Sequence, residues 1–414
     1  MSTHLQRAEK VLQRINELAS ISEDENFIAR TYGTKEFIEG RDKVQQWMEE
    51  AGLLTHVDNI GNLRGRRLSK VSNAKTFVIA SHLDTVINAG KFDGPLGVIL
   101  GLDLLEELIK FNTDMPFHIE LIGFCDEEGA RFHTTYLGST AVTGLFNTSL
   151  LDSKDVNDTT LEEVIVANGG NVNKLSKDAI AKQDWLGYFE IHIEQGPVLY
   201  EKNIPIGLVS SIAGQCRVGI IFNGEAGHAG TVPMNMRKDA LACAAEFILE
   251  TERFAANNNA IVATIGKLHI INSASNVIAG EVICSLDLRS ADETQLSAAY
   301  TAIKKIAEDL CEKRQNVLEW NLIQQTKPVI CDVQMNRLLM ESVKDCGYEP
   351  VAMVSGAGHD AVPVSEVSPV AMLFVKCFKG ISHNPAEDVA LEDIAAAIGV
   401  SDNFINKLIK LHTV

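Results

Sequence analysis

Two short and largely apolar runs, Thr76 to Ala80 and His118 to Phe124, flank a segment from Gly97 to Leu108 that reads as helix. A strand without a polar face has to be covered on both sides. Strand, helix, strand in that order is the pattern of an α/β sheet with helices on its faces. The neighbouring segments agree with it. Leu5, Val11, Leu12, Ile15 and Leu18 recur at helical spacing, and a second amphipathic helix is expected from about Lys35 to Glu50, ended by Gly52. Strand-like segments at 55–58 and 62–66 flank a turn at Asn59, Ile60 and Gly61. A further strand is expected ahead of the run from Phe189 to Glu194.

Between about 212 and 328 the rhythm changes. Strands near 217–222, 260–271, 282–288 and 317–323, with helices near 239–254 and 295–310, follow the order β-α-β-β-α-β. That is the split βαβ pattern of a ferredoxin-like domain. After Lys327 and Pro328 the α/β rhythm returns, with a helix near 336–345, a strand at 370–375 and a closing helix near 391–411. At 414 residues the chain exceeds the size at which one hydrophobic core stops growing. The expected organisation is one α/β domain, 1–211 with 329–414, interrupted by a smaller α+β domain at 212–328.

Composition narrows the class of function. Hydrophobic residues make up 46% and charged residues 22%, an ordinary globular balance. The net charge of −18 and the lack of a basic stripe argue against a nucleic-acid partner. No run approaches the about 18 apolar residues of a membrane-spanning helix. Residues 1–14 repeat charges where a signal peptide would be apolar, so a cytoplasmic protein is expected. The eight cysteines are scattered without a CxxC pair and read as buried thiols rather than a disulfide framework.

His82 and Asp84, in SHLDT at the end of the first apolar strand, are two apart and share a face if the strand is extended. Ligands of open α/β sheets bind beyond the carboxyl ends of strands. There His82 can bind a metal while Asp84 accepts a hydrogen bond from its second ring nitrogen; a purely structural role is the alternative. Asp93, in KFDGPLG ahead of a helix, is either an N-cap or turn residue or a carboxylate bridging two ions. Glu127 and Glu128, in FCDEEG at the exit of the second strand, form either a solvated acidic loop or a base, Glu127, beside a metal ligand, Glu128. Metal binding lowers the pKa of water from about 15.7 to near 7, within reach of a carboxylate base. His192, in IHIEQGP, is either a core histidine or a ligand, and His383, in GISHNP, either an exposed loop residue or a ligand. All fall at or near the C-terminal ends of expected strands, where one sheet edge can gather them. Imidazole with carboxylate suits Zn2+, Mn2+ or Co2+.

In this order the residues resemble the metal-dependent aminoacylase/carboxypeptidase-like amidohydrolase family, from about residue 30 to the C-terminus. Within it they are similar to the ureido-cleaving branch of allantoate amidohydrolases and N-carbamoyl-L-amino-acid hydrolases. The motifs are SHLDTVINAGKFDGPLGV, FCDEEGARF, HIEQGPVL, GEAGHAGTVPM, SGAGHDA and GISHNPAED. The resemblance implies a di-metal aminopeptidase-like catalytic domain with an inserted ferredoxin-like lid and dimerisation domain. It implies two divalent ions per subunit, one held by His82, Asp93 and His192, the other by Asp93, Glu128 and His383. Glu127 would be the base and Asp84 would orient His82. Many peptidase relatives have Asp where His192 stands, which turns the expectation toward a ureido bond.

Gln195, Gln215, Arg217, His228, Asn276 and Arg289 match positions associated with substrate binding, joined by Gly358 and His359. His228 is suited to donating to a developing oxyanion, or is a turn histidine. Arg289 is suited to bidentate capture of a substrate carboxylate, or forms a salt bridge. A homodimer through the inserted domain is also implied, with His228 and Asn276 reaching the partner's site. The expected reaction is hydrolysis of one ureido group of allantoate in purine catabolism, releasing ammonia and carbon dioxide. N-carbamoyl-L-amino-acid hydrolysis is the alternative; a peptidase or a non-catalytic binding protein is disfavoured.

Overall fold

The computed structural model describes residues 3–413, so positions 1, 2 and 414 of the expected first domain lie outside the described residues. The chain forms two compact units, one of Met1–Ser210, Cys331–Met353 and Gly358–Val414, the other of Ser211–Ile330 with Val354–Ala357. Each has its own apolar core. The short segment 354–357 groups with the second unit, although the sequence rhythm put it in the first.

Helices α1 (Thr3–Ala19) and α2 (Lys35–Glu50) open the first unit. The Thr34 side chain accepts from Phe37 N and starts α2. Strands β1 (Leu54–Val57) and β2 (Leu63–Arg67) pair antiparallel across the Asn59 turn. Strands β3 (Thr76–His82) and β4 (His118–Phe124) are joined by α3 (Pro95–Lys110), and β5 is Trp185–Ile193. Strands β4, β3, β5 and the strand Val370–Val375 lie side by side, all parallel. Antiparallel β2 borders β4, and β6 (Ile206–Ile212) borders the strand Val370–Val375. The closing helix Leu391–His412 packs against α1. Every residue of β3 is buried, which is why its sequence shows no alternation.

Two differences from the sequence reading have local causes. The run from Phe189 is the second half of β5 rather than a segment behind a separate strand, because contiguous apolar residues carry no boundary signal. The helix α4 (Leu137–Thr143), the helices Leu161–Ala167 and Val198–Lys202, and β6 were not anticipated. Helices of 5 to 7 residues are too short to show a helical period.

In the second unit β7 (Gly214–Asn223) lies between the strands Val317–Thr326 and Glu281–Ser290, and the latter also pairs with Val262–Ile270. All pairs are antiparallel, and with the helices Ala240–Ala256 and Glu293–Arg314 the element order is β-α-β-β-α-β. Strict alternation along Glu281–Ser290 buries Val282, Cys284, Leu286 and Leu288 and leaves Asp287 and Arg289 on the other face. Among the described residues all eight cysteines are free and seven are buried. No helix there is long and apolar enough to cross a membrane.

Candidate metal centre

Because β3, β4, β5 and the strand Val370–Val375 run parallel, their C-terminal ends share one edge. His82 is the last residue of β3 and His192 the last but one of β5. Asp93 lies in the loop into α3, Glu127 and Glu128 follow β4, and His383 follows the strand Val370–Val375. The ligand atoms of His82, Asp93 and His192 lie within 4.8 Å of one another, as do those of Asp93, Glu128 and His383, and those of His82, Glu127 and Glu128. Asp93 joins the His82–His192 group to the Glu128–His383 group, and His82 and Glu128 recur in the third.

His82 Nδ1 donates to the Asp84 carbonyl and His192 Nδ1 to the Ile193 carbonyl, each at 3.0 Å. Their Nε2 atoms then face each other at 3.5 Å, with Asp93 Oδ1 3.7 Å and 3.2 Å away. Asp93 Oδ1 is buried and accepts no hydrogen bond. Across the carboxylate, His383 Nε2 stands 3.1 Å from Asp93 Oδ2 and 3.3 Å from Glu128 Oε1. Burial alone would lower His192, but the Asp93 and Glu190 carboxylates override it and push it up to about 9. Asp93 and then Glu128 push His383 up to about 10. A buried cluster of acceptors is costly unless positive charge sits among them. The residues therefore fit divalent cations, and the N/O donor set is that of Zn2+, Mn2+ or Co2+.

Gly94 is what allows the Asp93 loop to close on His82. Its φ is +85°, and a Cβ there would lie 2.4 Å from the His82 ring. Gln195 and His383 also adopt left-handed backbone, at φ +56° and +54°. Non-glycine residues in that region cost of order 1 kcal/mol or more, a strain that concentrates at functional sites.

Asp84 meets the His82 ring twice, its carbonyl 3.0 Å from Nδ1 and its carboxylate Oδ1 3.7 Å from the same nitrogen. The carboxylate accepts the backbone N–H groups of Glu127 and Glu128, each at 3.1 Å. Asp84 thus holds the acidic loop in place. Burial, then Glu128, Asp360, Asp84 and Asp93, holds the Glu127 carboxyl well above its usual range.

Gln195 Nε2 donates to Asp93 Oδ2 at 2.8 Å, and Ser382 Oγ donates to the same oxygen at 2.7 Å. His359 is buried edge-on against His192 with ring centroids 4.6 Å apart, and burial, then His192, keeps it well below the usual histidine range. Gly358 makes room for Tyr136, whose hydroxyl would lie 1.9 Å from a Cβ there. Sequence reasoning missed Ser382, Glu190, Asp360 and Glu387. Glu190 Oε2 accepts from the Tyr188 hydroxyl and Ala361 N, and Asp360 accepts from Ser139. All four stand within four residues of an expected site histidine, which was the available signal.

In the second unit three expected residues gather on one acid. Gln215 Nε2 donates to Asp287 Oδ2 at 2.6 Å, Arg289 meets both Asp287 oxygens at 2.7 Å and 2.9 Å, and Arg217 Nε lies 3.5 Å away. The Arg289 fork is therefore engaged within the chain, the salt-bridge alternative. His228 and Asn276 lie together elsewhere, on a two-stranded ribbon pairing His228 with Val277. Both are exposed, and Ala229 N donates to the Asn276 carbonyl at 2.9 Å.

The chain matches the model of peptidase family M20/M25/M40 over residues 78–407. It is 36% identical to a probable allantoate deiminase of Oryza sativa subsp. japonica, over 97% of this chain and 88% of that protein. It is 35% identical to an N-carbamoyl-L-amino acid amidohydrolase of Geobacillus stearothermophilus, over 95% of this chain and 97% of that protein. The crystal structure of an amidase of the hydantoinase/carbamoylase family from Burkholderia multivorans superposes with a TM-score of 0.89 at 31% identity, covering 96% of this chain and 97% of that one. With carboxylates and imidazoles converging within the matched span, the chain belongs to peptidase family M20/M25/M40 and is an enzyme of that family.

Proposed function

We propose that this enzyme hydrolyses one ureido C–N bond of allantoate with one water, leaving the rest of the molecule as the amine and releasing the carbamoyl group as ammonia and carbon dioxide. The observation that carries the reading is the identity of 36% to a probable allantoate deiminase over 97% of the chain. N-carbamoyl-L-amino-acid hydrolysis is the second reading, favoured by the 35% identity to an N-carbamoyl-L-amino acid amidohydrolase over 97% of that protein.

A ureido carbon is a poor electrophile because both nitrogens donate into its carbonyl. Two divalent ions, one with His82, Asp93 and His192 and one with Asp93, Glu128 and His383, would supply the charge that polarises the carbonyl and acidifies water. Glu127 takes the proton of the attacking water and passes it to the leaving nitrogen. Asp84 keeps Glu127 and Glu128 in place through their backbone N–H groups, and Gln195 and Ser382 hold Asp93. His228 donates to the developing oxyanion. Gln215, Arg217, Asn276 and Arg289 bind the substrate, Arg289 exchanging Asp287 for the substrate carboxylate, and Gln195, Gly358 and His359 line the reacting end.

In this reading residues 1–211 and 329–414 form the catalytic domain, and 212–328 form a ferredoxin-like lid through which two copies pair in the cytoplasm. The test is ammonia release from allantoate and from several N-carbamoyl-L-amino acids after loading the chelated protein with Mn2+. Turnover of allantoate supports the first reading, turnover of carbamoyl amino acids alone moves the assignment to the second, and turnover of no ureido compound rejects both.

A further inference from the structure

We propose that Glu387 is a positioning residue for the metal site, a clamp on the backbone at Asp93 that occupies space left open by Gly90. The proposal rests on the reading of Asp93 as a metal ligand.

Glu387 is 3% exposed and stands four residues beyond His383. Its Oε1 accepts the backbone N–H of Phe92 at 2.7 Å and that of Asp93 at 3.1 Å. Both bonds are buried, where a hydrogen bond is electrostatically stronger than it is in water. The loop they hold has little other freedom. The Phe92 side chain is fully buried, and Gly94 lies against the His82 ring. The Glu387 end is itself anchored, with Glu387 N donating to the Asn384 carbonyl at 3.0 Å. One short segment, 383–387, thus presents an imidazole to Asp93 through His383 and fixes the Asp93 main chain through Glu387.

Gly90 supplies an independent observation. A Cβ there would lie 2.2 Å from Glu387 Cδ and 2.3 Å from Oε1. The Gly90 φ lies outside the left-handed region, so the glycine is required by the approach of Glu387 and not by its own backbone. A methyl group at position 90 and the clamp cannot coexist.

The experiment titrates chelator-stripped full-length protein with Mn2+ by calorimetry, alongside the melting temperature of the metal-free form. Glu387→Ala and Gly90→Ala are each expected to weaken Mn2+ binding by about 10- to 100-fold, the range for partners that orient metal ligands. Glu387→Gln, whose amide oxygen can accept both N–H groups, is expected to recover most of that loss. Gly90→Ala in a Glu387→Gly background, where neither the carboxyl nor the Cβ of residue 387 remains to meet the new methyl, is expected to add little to the loss seen in Glu387→Gly alone. Mn2+ affinity unchanged in Glu387→Ala, with only a lower melting temperature, overturns the clamp, as does full additivity of Gly90→Ala and Glu387→Gly. If Glu387→Ala does not fold, Gly90→Ala and Glu387→Gln carry the same test. Failure of the unsubstituted protein to bind Mn2+ instead overturns the metal reading beneath it.

Discussion

His82 and His192 turn their Nε2 atoms toward each other at 3.5 Å while each binds a backbone carbonyl through Nδ1. Two ring nitrogens so placed beside Asp93 are reconciled by a cation between them. Replacing His192 by Ala is expected to reduce Mn2+ affinity by more than the about 100-fold seen when an orienting partner is lost. Calorimetric titration of the stripped protein checks this. Chelation should abolish ammonia release and lower the melting temperature, and metal at 100 times its dissociation constant should restore about 2.7 kcal/mol. A melting temperature insensitive to chelation and reloading contradicts the assignment.

In the proposed mechanism Glu127 ligates no metal and takes the proton of the attacking water. Glu127→Gln keeps the shape of the side chain and cannot take a proton. Turnover is expected to fall by about 10²- to 10⁴-fold, the usual worth of a general base, with Mn2+ affinity little changed. Full activity in this variant removes Glu127 from the mechanism.

The Asp84 carboxylate carries two backbone N–H groups, one on each oxygen. In Asp84→Asn the amide nitrogen would face one of those donors, so at least one buried bond is lost. The expected cost is about 1–3 kcal/mol of stability, and turnover should fall because Glu127 and Glu128 lose their support. Denaturant unfolding and steady-state assays read the two effects separately, and a variant equal to wild type in both rejects the role.

Asp58 gives a pH prediction away from the metal ligands. Burial, then the Asp178 carboxylate, raises its folded pKa from 3.8 to about 6. The folded state therefore holds the Asp58 proton more tightly than the unfolded chain. Its contribution to stability is complete below pH 3.8 and is lost as pH rises through 6. Relative to Asp58→Asn, the wild type should lose about 3 kcal/mol of unfolding free energy across that window, at about 1.4 kcal/mol per pKa unit. Unfolding curves of both proteins at a series of pH values measure the difference, and a flat difference contradicts it.

Much of the site was legible because its signals are local. His82, Glu127, Glu128, His192 and His383 follow or end apolar segments, and the parallel pairing of those strands gathers them at one edge. The backbone partners of the Asp84 carboxylate, Glu127 and Glu128, were not foreseen, because they lie 43 and 44 residues further along the chain and follow a different strand. Asp287 was overlooked beside Arg289 although the two share a strand face, since alternation alone does not say which polar neighbours pair.

By itself the sequence determined the long helices, most of the buried strands, and which chemically able side chains stand where those strands end, since those patterns repeat over a few residues. Only the tertiary structure decided the partners: the Asp84 carbonyl against the His82 ring, Gln195 and Ser382 on one Asp93 oxygen, and Glu387 beneath the Asp93 backbone from 294 residues away. Hydrogen bonding depends on distances and angles between segments remote along the chain, and no local period encodes them. The His82–His192 pair belongs to both accounts. The sequence places each ring at a strand end, and the sheet brings their Nε2 atoms to 3.5 Å of each other.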